Sequence, residues 1–282
     1  MAAGTLQPGC ASFFLAPGGE GGAHGILLLL HGFSAGPWQW RPLAQRIAKL
    51  GWAAWAPRLP GHGLRRADGE ADARDLPRAR DWRRYQTAAA AFASQAAASG
   101  LAVVPVGLSL GGAMALSLAR RPGRPLAAVV LIAPLLRAAT WRQRLPLTAL
   151  RWSASLGASA LVDRLPFAWP ERPPPWSRPG HRRLTVGQLI AALTFARHAR
   201  RALAPLPIPC QLITSAADDK VDTRLIRRRL AGGQAPINAH HFPADQRVPH
   251  AMLTPEENPN AASRARIATL IGDFLAAHGG RR

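Results

Sequence analysis

A serine between two glycines, directly after an apolar run, is the part of this sequence best suited to chemistry. Residues 107–111 read G-L-S-L-G, residues 101–106 before them are apolar, and small residues continue to position 116. A buried strand that runs into G-x-S-x-G and then into a helix is typical of a nucleophile elbow, where a sharp turn exposes the serine hydroxyl. Glycines permit the crowded turn, and the helix N-terminus directs amide N–H groups at a developing oxyanion. Ser109 is therefore the candidate nucleophile.

Other apolar runs along the chain have the length of buried strands and alternate with stretches of helical composition. The runs are residues 26–30, 52–57, 127–134 and 208–214, and a further short strand is predicted near residues 239–242. The helical stretches are residues 40–50, 82–98, 110–121, 223–231 and 261–277. This alternation predicts an α/β fold with a mostly parallel sheet and helices on both faces.

Residues 137–200 interrupt the alternation and predict an insertion. They contain 11 arginines against only two acidic residues, Asp163 and Glu171. Apolar side chains at positions 186, 189, 190, 193 and 196 have helical spacing, which predicts an amphipathic helix over residues 184–200. Two roles are open for its apolar side, lining an acyl pocket and packing on the core, and packing is expected for most of these side chains.

Three motifs give the chain a resemblance to a known family. They are L-x-L-H-G-F at residues 28–33, P-x-x-P-G-H-G at residues 57–63 and G-x-S-x-G-G at residues 107–112. With this spacing the chain resembles the α/β-hydrolase superfamily, in its branch of carboxylesterases and monoacylglycerol lipases. The resemblance covers about residues 10–275. It implies a core formed by residues 1–136 and 201–282, with an inserted helical cap at residues 137–200.

The resemblance also implies a catalytic triad in the chain order serine, acid, histidine. His250 is the one histidine between the last predicted strand and the final predicted helix, which makes it the expected base. The acid is either Asp218 or Asp219, because both follow the strand at residues 208–214. Family members carry D-x-x-V at this place, and that pattern starts at Asp218. Asp219 is then expected to be solvated or paired with a nearby arginine.

Two backbone N–H groups are expected to form the oxyanion hole. One belongs to Leu110, which follows the nucleophile, and the other to Phe33, which follows the H-G pair. Two histidines of the family motifs, His31 and His62, are interpreted as structural. The histidines of the insertion are interpreted as surface residues: His181 and His198.

Serine at the elbow favours ester hydrolysis through an acyl-enzyme, without a metal or organic cofactor. Relatives that use aspartate or cysteine as the nucleophile carry it at this position, and relatives that bind an α-amine need a cap carboxylate. The expected substrate is a small or medium acyl ester, including monoacylglycerol or lysophospholipid. The same triad would serve a thioesterase or an acyltransferase. The alternative from a different class is a non-catalytic protein that binds a membrane or a partner.

The net charge of +21 is the unusual feature of the composition, and arginine supplies 34 of the 36 basic residues. GC-rich codon usage is one interpretation of this bias, and peripheral attraction to anionic membranes is the functional alternative. No nucleic-acid-binding module is visible, so no specific nucleic acid is expected. The first 15 residues lack the pattern of a secretory signal, and two cysteines are too few for a disulfide framework. A cytoplasmic enzyme is expected, and nothing in the sequence specifies an oligomeric state.

Overall fold

A seven-stranded sheet forms the centre of the protein. The computed structural model describes residues 5–19, 22–120, 126–140, 148–150, 152–168, 179–201, 206–230 and 235–279. In chain order, the strands of the described residues are β1 (Thr5–Leu6), β2 (Phe13–Leu15), β3 (Ile26–Leu30), β4 (Ala53–Ala56), β5 (Leu64–Arg65), β6 (Ala71–Asp72), β7 (Val103–Leu108), β8 (Val129–Ile132), β9 (Pro166–Ala168), β10 (Arg183–Thr185), β11 (Cys210–Ser215) and β12 (Ile237–Phe242).

The order in the main sheet is β12-β11-β8-β7-β3-β4-β2. All neighbouring pairs are parallel except the edge pair of β2 and β4. The strands β3, β7, β8 and β11 follow the predicted apolar runs because both of their faces are covered, whereas the edge strand β12 is only partly buried. Every residue of β3 and of β7 is buried, as is expected for a parallel sheet between two helical layers.

Helices lie on both faces of this sheet. The α-helices of the described residues are α1 (Arg41–Ala48), α2 (Arg83–Ala97), α3 (Leu110–Ala119), α4 (Ser159–Val162), α5 (Val186–Arg201), α6 (Thr223–Leu230) and α7 (Ala261–His278). Of these, α4 contacts α5 rather than the sheet. Alternate residues of β3 enter opposite layers: Leu28 packs in a cluster with α2 and α3, whereas Leu27 packs in a cluster with α1 and α7. The predicted fold class, an α/β-hydrolase fold with a mostly parallel sheet, is confirmed.

The chain between β8 and β11 contains the segment predicted as a cap. In the described part of it, residues 152–162 are helical, β9 and β10 form an antiparallel hairpin, and α5 follows. Helix α5 packs against α2 and α3 through a buried side that includes Ala192, Phe195 and Ala199. Two side chains of the predicted apolar stripe, Val186 and Ile190, pack instead in a smaller cluster with Ala79, Ala154 and Val162. The helix begins at Val186 rather than at residue 184, because residues 183–185 form β10. The domain boundaries at 137 and 200 stay a prediction.

Short strands at the start of the chain were not visible in the sequence pattern. The edge strand β2 pairs antiparallel with β4, and β1, β5 and β6 form a separate small sheet. Strands of two or three residues are too short to show a periodicity. No helix within the described ranges is long and apolar enough to cross a membrane.

Candidate active site

Ser109 lies on a sharp turn between β7 and α3. It has φ +56° and ψ −114°, a conformation that residues with a side chain rarely adopt. Three backbone hydrogen bonds hold this turn: the Ser109 N–H donates to Ile132 O at 3.0 Å, and Ser109 O accepts from Leu135 at 2.8 Å and from Ala113 at 3.1 Å. Strained backbone of this kind persists when the surroundings over-determine it. The turn therefore presents Ser109 as the sequence motif predicts.

The glycines on either side of Ser109 are required by close packing of the backbone. A Cβ on Gly107 would lie 2.1 Å from Gly111 O, and a Cβ on Gly111 would lie 1.9 Å from Leu30 O. Both distances are far shorter than a van der Waals contact, and backbone atoms cannot rotate away as side chains do. The G-x-S-x-G spacing thus lets α3 start directly against the ends of β3 and β7.

Asp218 and His250 are in direct contact. His250 Nδ1 lies 2.8 Å from Asp218 Oδ2, and the Asp218 side chain is fully buried. The other carboxylate oxygen, Oδ1, accepts the N–H groups of Lys220 at 2.8 Å and Val221 at 3.0 Å. Asp218 is therefore held by the backbone of its own loop, and its free oxygen orients the imidazole. His250 is 16% exposed in its side chain, so solvent reaches the ring.

The neighbouring carboxylate points elsewhere. The Asp219 side chain is 53% exposed, and its Oδ2 lies 2.9 Å from Lys220 Nζ. An exposed pair of this kind contributes little to stability, about 0–1 kcal/mol. Of the two acids that the sequence left open, the one that contacts His250 is Asp218.

The loop that carries His250 is fixed to the end of β11. Ser215 Oγ donates a hydrogen bond to Val248 O at 2.7 Å, and Val248 is fully buried. Arg247 has φ +47°, which turns the chain back after β12. These contacts bring a residue eight positions beyond β12 to the side chain of Asp218, which follows β11.

Ser109, Asp218 and His250 follow the C-terminal ends of three parallel strands, β7, β11 and β12, which lie at the same edge of the sheet. Ser109 Oγ makes no hydrogen bond within the described part of the chain, including to His250. Ser109 is 8% exposed. Among the described residues, the acid is thus joined to the histidine, and the serine hydroxyl has no hydrogen-bond partner. Hydrogen bonds of this kind often tighten only when substrate binds.

The two expected oxyanion donors have no acceptor among the described residues. The Leu110 N–H is at the start of α3, and the Phe33 N–H follows β3. A Cβ on Gly32, the residue before Phe33, would lie 3.6 Å from Ser109 Cβ. The loop after β3 therefore passes directly beside the serine, and its free N–H is available to an anion there.

Buried histidines support this loop from below. His31 Nε2 accepts the Leu59 N–H at 3.1 Å, so the ring proton is on Nδ1, which donates to Gly32 O at 2.9 Å. Burial lowers the pKa of His31 to about 4 and that of His62 well below its usual value. Both rings are therefore neutral near pH 7, and the structural interpretation of His31 agrees with these contacts.

The prediction that His181 is a surface residue is wrong. It is 1% exposed, its Nε2 accepts the Gly63 N–H at 3.1 Å, and its ring lies 5.9 Å from that of His62. Burial also lowers the pKa of His181 to about 4. No local sequence pattern indicates this contact, because it joins positions 118 residues apart. His198 is exposed on α5, as expected.

No group of His, Cys, Asp and Glu side chains in the described ranges could hold a metal ion.

Known proteins resemble this chain in sequence and in fold. A thermostable monoacylglycerol lipase from Bacillus sp. (strain H-257) is 47% identical over 51 residues, which are 18% of this chain and 20% of that protein. The match therefore spans about a fifth of the length of that relative. Two solved structures have a similar fold at low identity. The monoacylglycerol lipase of Paleococcus ferrophilus has a TM-score of 0.73 and 15% identity, over 95% of this chain and 98% of that chain. A soluble variant of monoglyceride lipase from Saccharomyces cerevisiae has a TM-score of 0.70 and 13% identity, over 96% and 92%.

The model of one sequence family covers most of the chain. It matches residues 27–257, which include the loop after β3, the elbow and the segments of Asp218 and His250. The resemblance inferred from the motifs is thereby confirmed. On its motifs, its fold and this match, the chain belongs to the alpha/beta hydrolase family.

Proposed function

We propose that the protein is a serine hydrolase that cleaves carboxylic esters through an acyl-enzyme on Ser109. The observation that carries the proposal is the 2.8 Å hydrogen bond between the buried Asp218 and His250 at the sheet edge where the elbow presents Ser109. A buried carboxylate on Nδ1 holds the imidazole with its Nε2 free to accept a proton. Serine needs such a base, because its hydroxyl is a weak nucleophile on its own.

The reaction runs in two halves that each transfer one proton through His250. In the first, Ser109 Oγ attacks the ester carbonyl while Nε2 takes the hydroxyl proton. The carbonyl oxygen becomes an oxyanion facing the N–H groups of Phe33 and Leu110. Collapse breaks the bond to the alcohol oxygen, and His250 returns the proton to that alcohol. In the second half, water attacks the acyl carbonyl with His250 again as base, which releases the carboxylic acid and regenerates Ser109.

The proposed substrates are neutral or anionic acyl esters, including monoacylglycerol. The described relatives are lipases by name. In addition, Asp163 is the only acid in the described part of the insertion, and it is engaged in packing: its Oδ1 accepts the Ala79 N–H at 3.3 Å and lies against Gly187. Binding of a substrate α-amine there is disfavoured, which argues for esters over N-terminal peptide substrates. Thioesters remain within the reach of the same chemistry, and the assay below includes them.

Peripheral attraction to anionic lipid belongs to the same proposal. Three large apolar side chains in the insertion are strongly exposed, at 58%, 81% and 63%: Trp152, Leu156 and Leu161. Three arginines of the described insertion are also exposed: Arg164, Arg182 and Arg183. Apolar side chains among basic ones are the composition that binds membrane surfaces. We also propose a cytoplasmic location, because both cysteines are buried and free rather than paired.

A fluorophosphonate probe with a fluorescent tag tests the proposal. The wild type should be labelled and should hydrolyse p-nitrophenyl esters of graded acyl length, with thioesters assayed beside them. Ser109→Ala should be unlabelled and should keep only residual catalysis, about 10³–10⁴-fold over water. Ser117→Ala is the matched control, because Ser117 lies on α3 and its hydroxyl donates only to Met114 O, at 2.8 Å. Labelling of the Ser109→Ala protein, or a wild type without labelling and turnover, would contradict the proposal.

A further inference from the structure

A buried glutamine links the loop beside the nucleophile to the loop that carries the histidine. Gln39 is 3% exposed, and its Oε1 accepts the Gly32 N–H at 3.0 Å. Its Nε2 donates to both carboxylate oxygens of Glu257, at 2.9 and 3.0 Å. The two ends of one amide group therefore contact segments 225 positions apart in the chain.

The contact to Gly32 matters because the next peptide unit carries the Phe33 N–H, the expected oxyanion donor. Gly32 has no Cβ and is the conformationally freest residue of the loop. Its two flanking peptide planes are each held by one side chain: Gln39 holds the plane that contains the Gly32 N–H, and His31 Nδ1–H holds the plane that contains Gly32 O. This second plane also contains the Phe33 N–H, directed away from Gly32 O. The direction of the oxyanion donor is thus set by side chains that never touch substrate.

Gln39 also decides which N–H of the loop is available. Because Gln39 Oε1 already accepts the Gly32 N–H, that group is withdrawn from the anion site, and Phe33 is left as the loop's donor. A glutamine is suited to this because its amide accepts at one end and donates at the other. The donating end meets a carboxylate, and hydrogen bonds to an ionised group are about twice as strong as neutral ones.

The partner carboxylate belongs to the segment after His250. The Glu257 N–H donates to Thr254 O at 3.2 Å, and the adjacent Asn258 is fully buried, with its Nδ2 donating to Met252 O at 3.1 Å. Glu257 therefore has a fixed position in the loop of residues 250–258, which begins with His250. Gln39 is the shared contact of this loop and the loop that carries Phe33.

We propose that Gln39 and Glu257 are positioning residues that hold the Phe33 oxyanion donor in register with the His250 loop. The inference rests on the proposed ester hydrolysis. An oxyanion exists only in the transition state and the tetrahedral intermediate, so misplacing its donor lowers kcat and leaves ground-state binding intact. Complete loss of one oxyanion donor costs about 10²–10³-fold in kcat. A donor that stays in place but is poorly aimed should cost less, about 10-fold.

Exchange of the Gln39 and Glu257 side chains distinguishes a role in positioning the oxyanion donor from a role in stability alone. In Gln39→Glu, two carboxylates face each other across the 2.9–3.0 Å contact. We expect kcat to fall about 10-fold with KM within twofold. The double variant Gln39→Glu/Glu257→Gln keeps an acceptor for the Gly32 N–H and restores an amide–carboxylate pair with the direction reversed, so kcat should recover to within about threefold of wild type. Gln211→Leu is the control for loss of a buried glutamine, because Gln211 is also 3% exposed but lies near the start of β11, at the opposite end of the sheet.

A boronic acid that forms a tetrahedral adduct with Ser109 supplies the second measurement. Its affinity should fall in Gln39→Glu by the same factor as kcat, whereas product affinity should not change. Urea unfolding is measured on every variant. If Gln39→Glu keeps wild-type kcat and boronate affinity while Ser109 is still labelled, the inference is overturned and the ester hydrolase proposal stands. If kcat, KM and unfolding free energy change together and the double variant does not recover, Gln39 is only structural. A wild type without labelling or turnover overturns both.

Discussion

The contrast between two adjacent aspartates provides the sharpest test of the site. Asp218→Asn and Asp219→Asn make the same substitution at neighbouring positions with opposite surroundings. Asp218 is fully buried and accepts three hydrogen bonds, from His250 and from two backbone N–H groups. Asp219 is about half exposed.

The magnitude follows from the hydrogen-bond geometry. An asparagine at position 218 can keep its oxygen on the two backbone N–H groups of Lys220 and Val221. Its NH₂ group then faces His250 Nδ1, where a donor meets a ring nitrogen that must also donate. The imidazole is driven to the tautomer with its proton on Nε2, which cannot accept the serine proton. In a serine protease this change lowers kcat about 10⁴-fold, equivalent to about 5 kcal/mol of activation free energy. The fold should survive, because the backbone contacts of the loop are retained.

Steady-state kinetics with a p-nitrophenyl ester measure the effect, and thermal unfolding checks that each variant is folded. We expect Asp218→Asn to lose about four orders of magnitude in kcat and Asp219→Asn to stay within twofold of wild type. Comparable loss in both variants, or loss in Asp219→Asn alone, would refute the assignment of Asp218 as the acid.

Two other predictions concern acid and lipid. Because burial lowers the pKa of His31 and His181 to about 4, against about 6.5 in the unfolded chain, the unfolded state binds more protons between these values. The free energy of unfolding should therefore be highest above pH 6.5 and fall by about 3 kcal/mol per histidine as the pH drops to 4. Urea unfolding at a series of pH values measures this change. A free energy of unfolding that stays constant between pH 6.5 and pH 4 would contradict the burial of these histidines. Sedimentation with anionic vesicles at low salt should carry the protein down, with loss at high salt, because the attraction decays over about 8 Å at physiological ionic strength. Arg182→Glu/Arg183→Glu should weaken this binding more than the matched reversal of two exposed arginines on α6, Arg224 and Arg228. Equal, negligible binding to anionic and neutral vesicles would leave codon usage as the explanation of the charge.

The sequence predicted the parts of the fold that local pattern controls. Strands β3 and β7 were visible because a parallel sheet buries both of their faces, and the elbow because a Cβ at Gly107 or Gly111 has no space. Contacts made by single side chains across long separations were not visible. Gln39 has no motif around it, and its two partners lie 7 and 218 positions away.

The same limit explains the error at His181. Its position in an arginine-rich stretch indicated a solvent-exposed side chain, but the ring occupies a space between the Gly63 N–H and the His62 ring. A buried imidazole is compatible with a basic neighbourhood when it remains neutral. The hydrogen bond that its Nε2 accepts from the Gly63 N–H offsets part of the free-energy cost of removing the imidazole from water.

The order of strands in the sheet has a consequence for how the site arises. Phe33, Ser109, Asp218 and His250 follow β3, β7, β11 and β12, and β8 separates the first two strands from the last two. Parallel neighbours pair only after a long crossover has closed, so contacts of this kind form late and slowly in folding. No segment shorter than residues 33–250 carries all four of these residues. Catalytic competence is therefore a property of the completed sheet, and the first appearance of turnover during refolding marks the closing of its last long-range pairs.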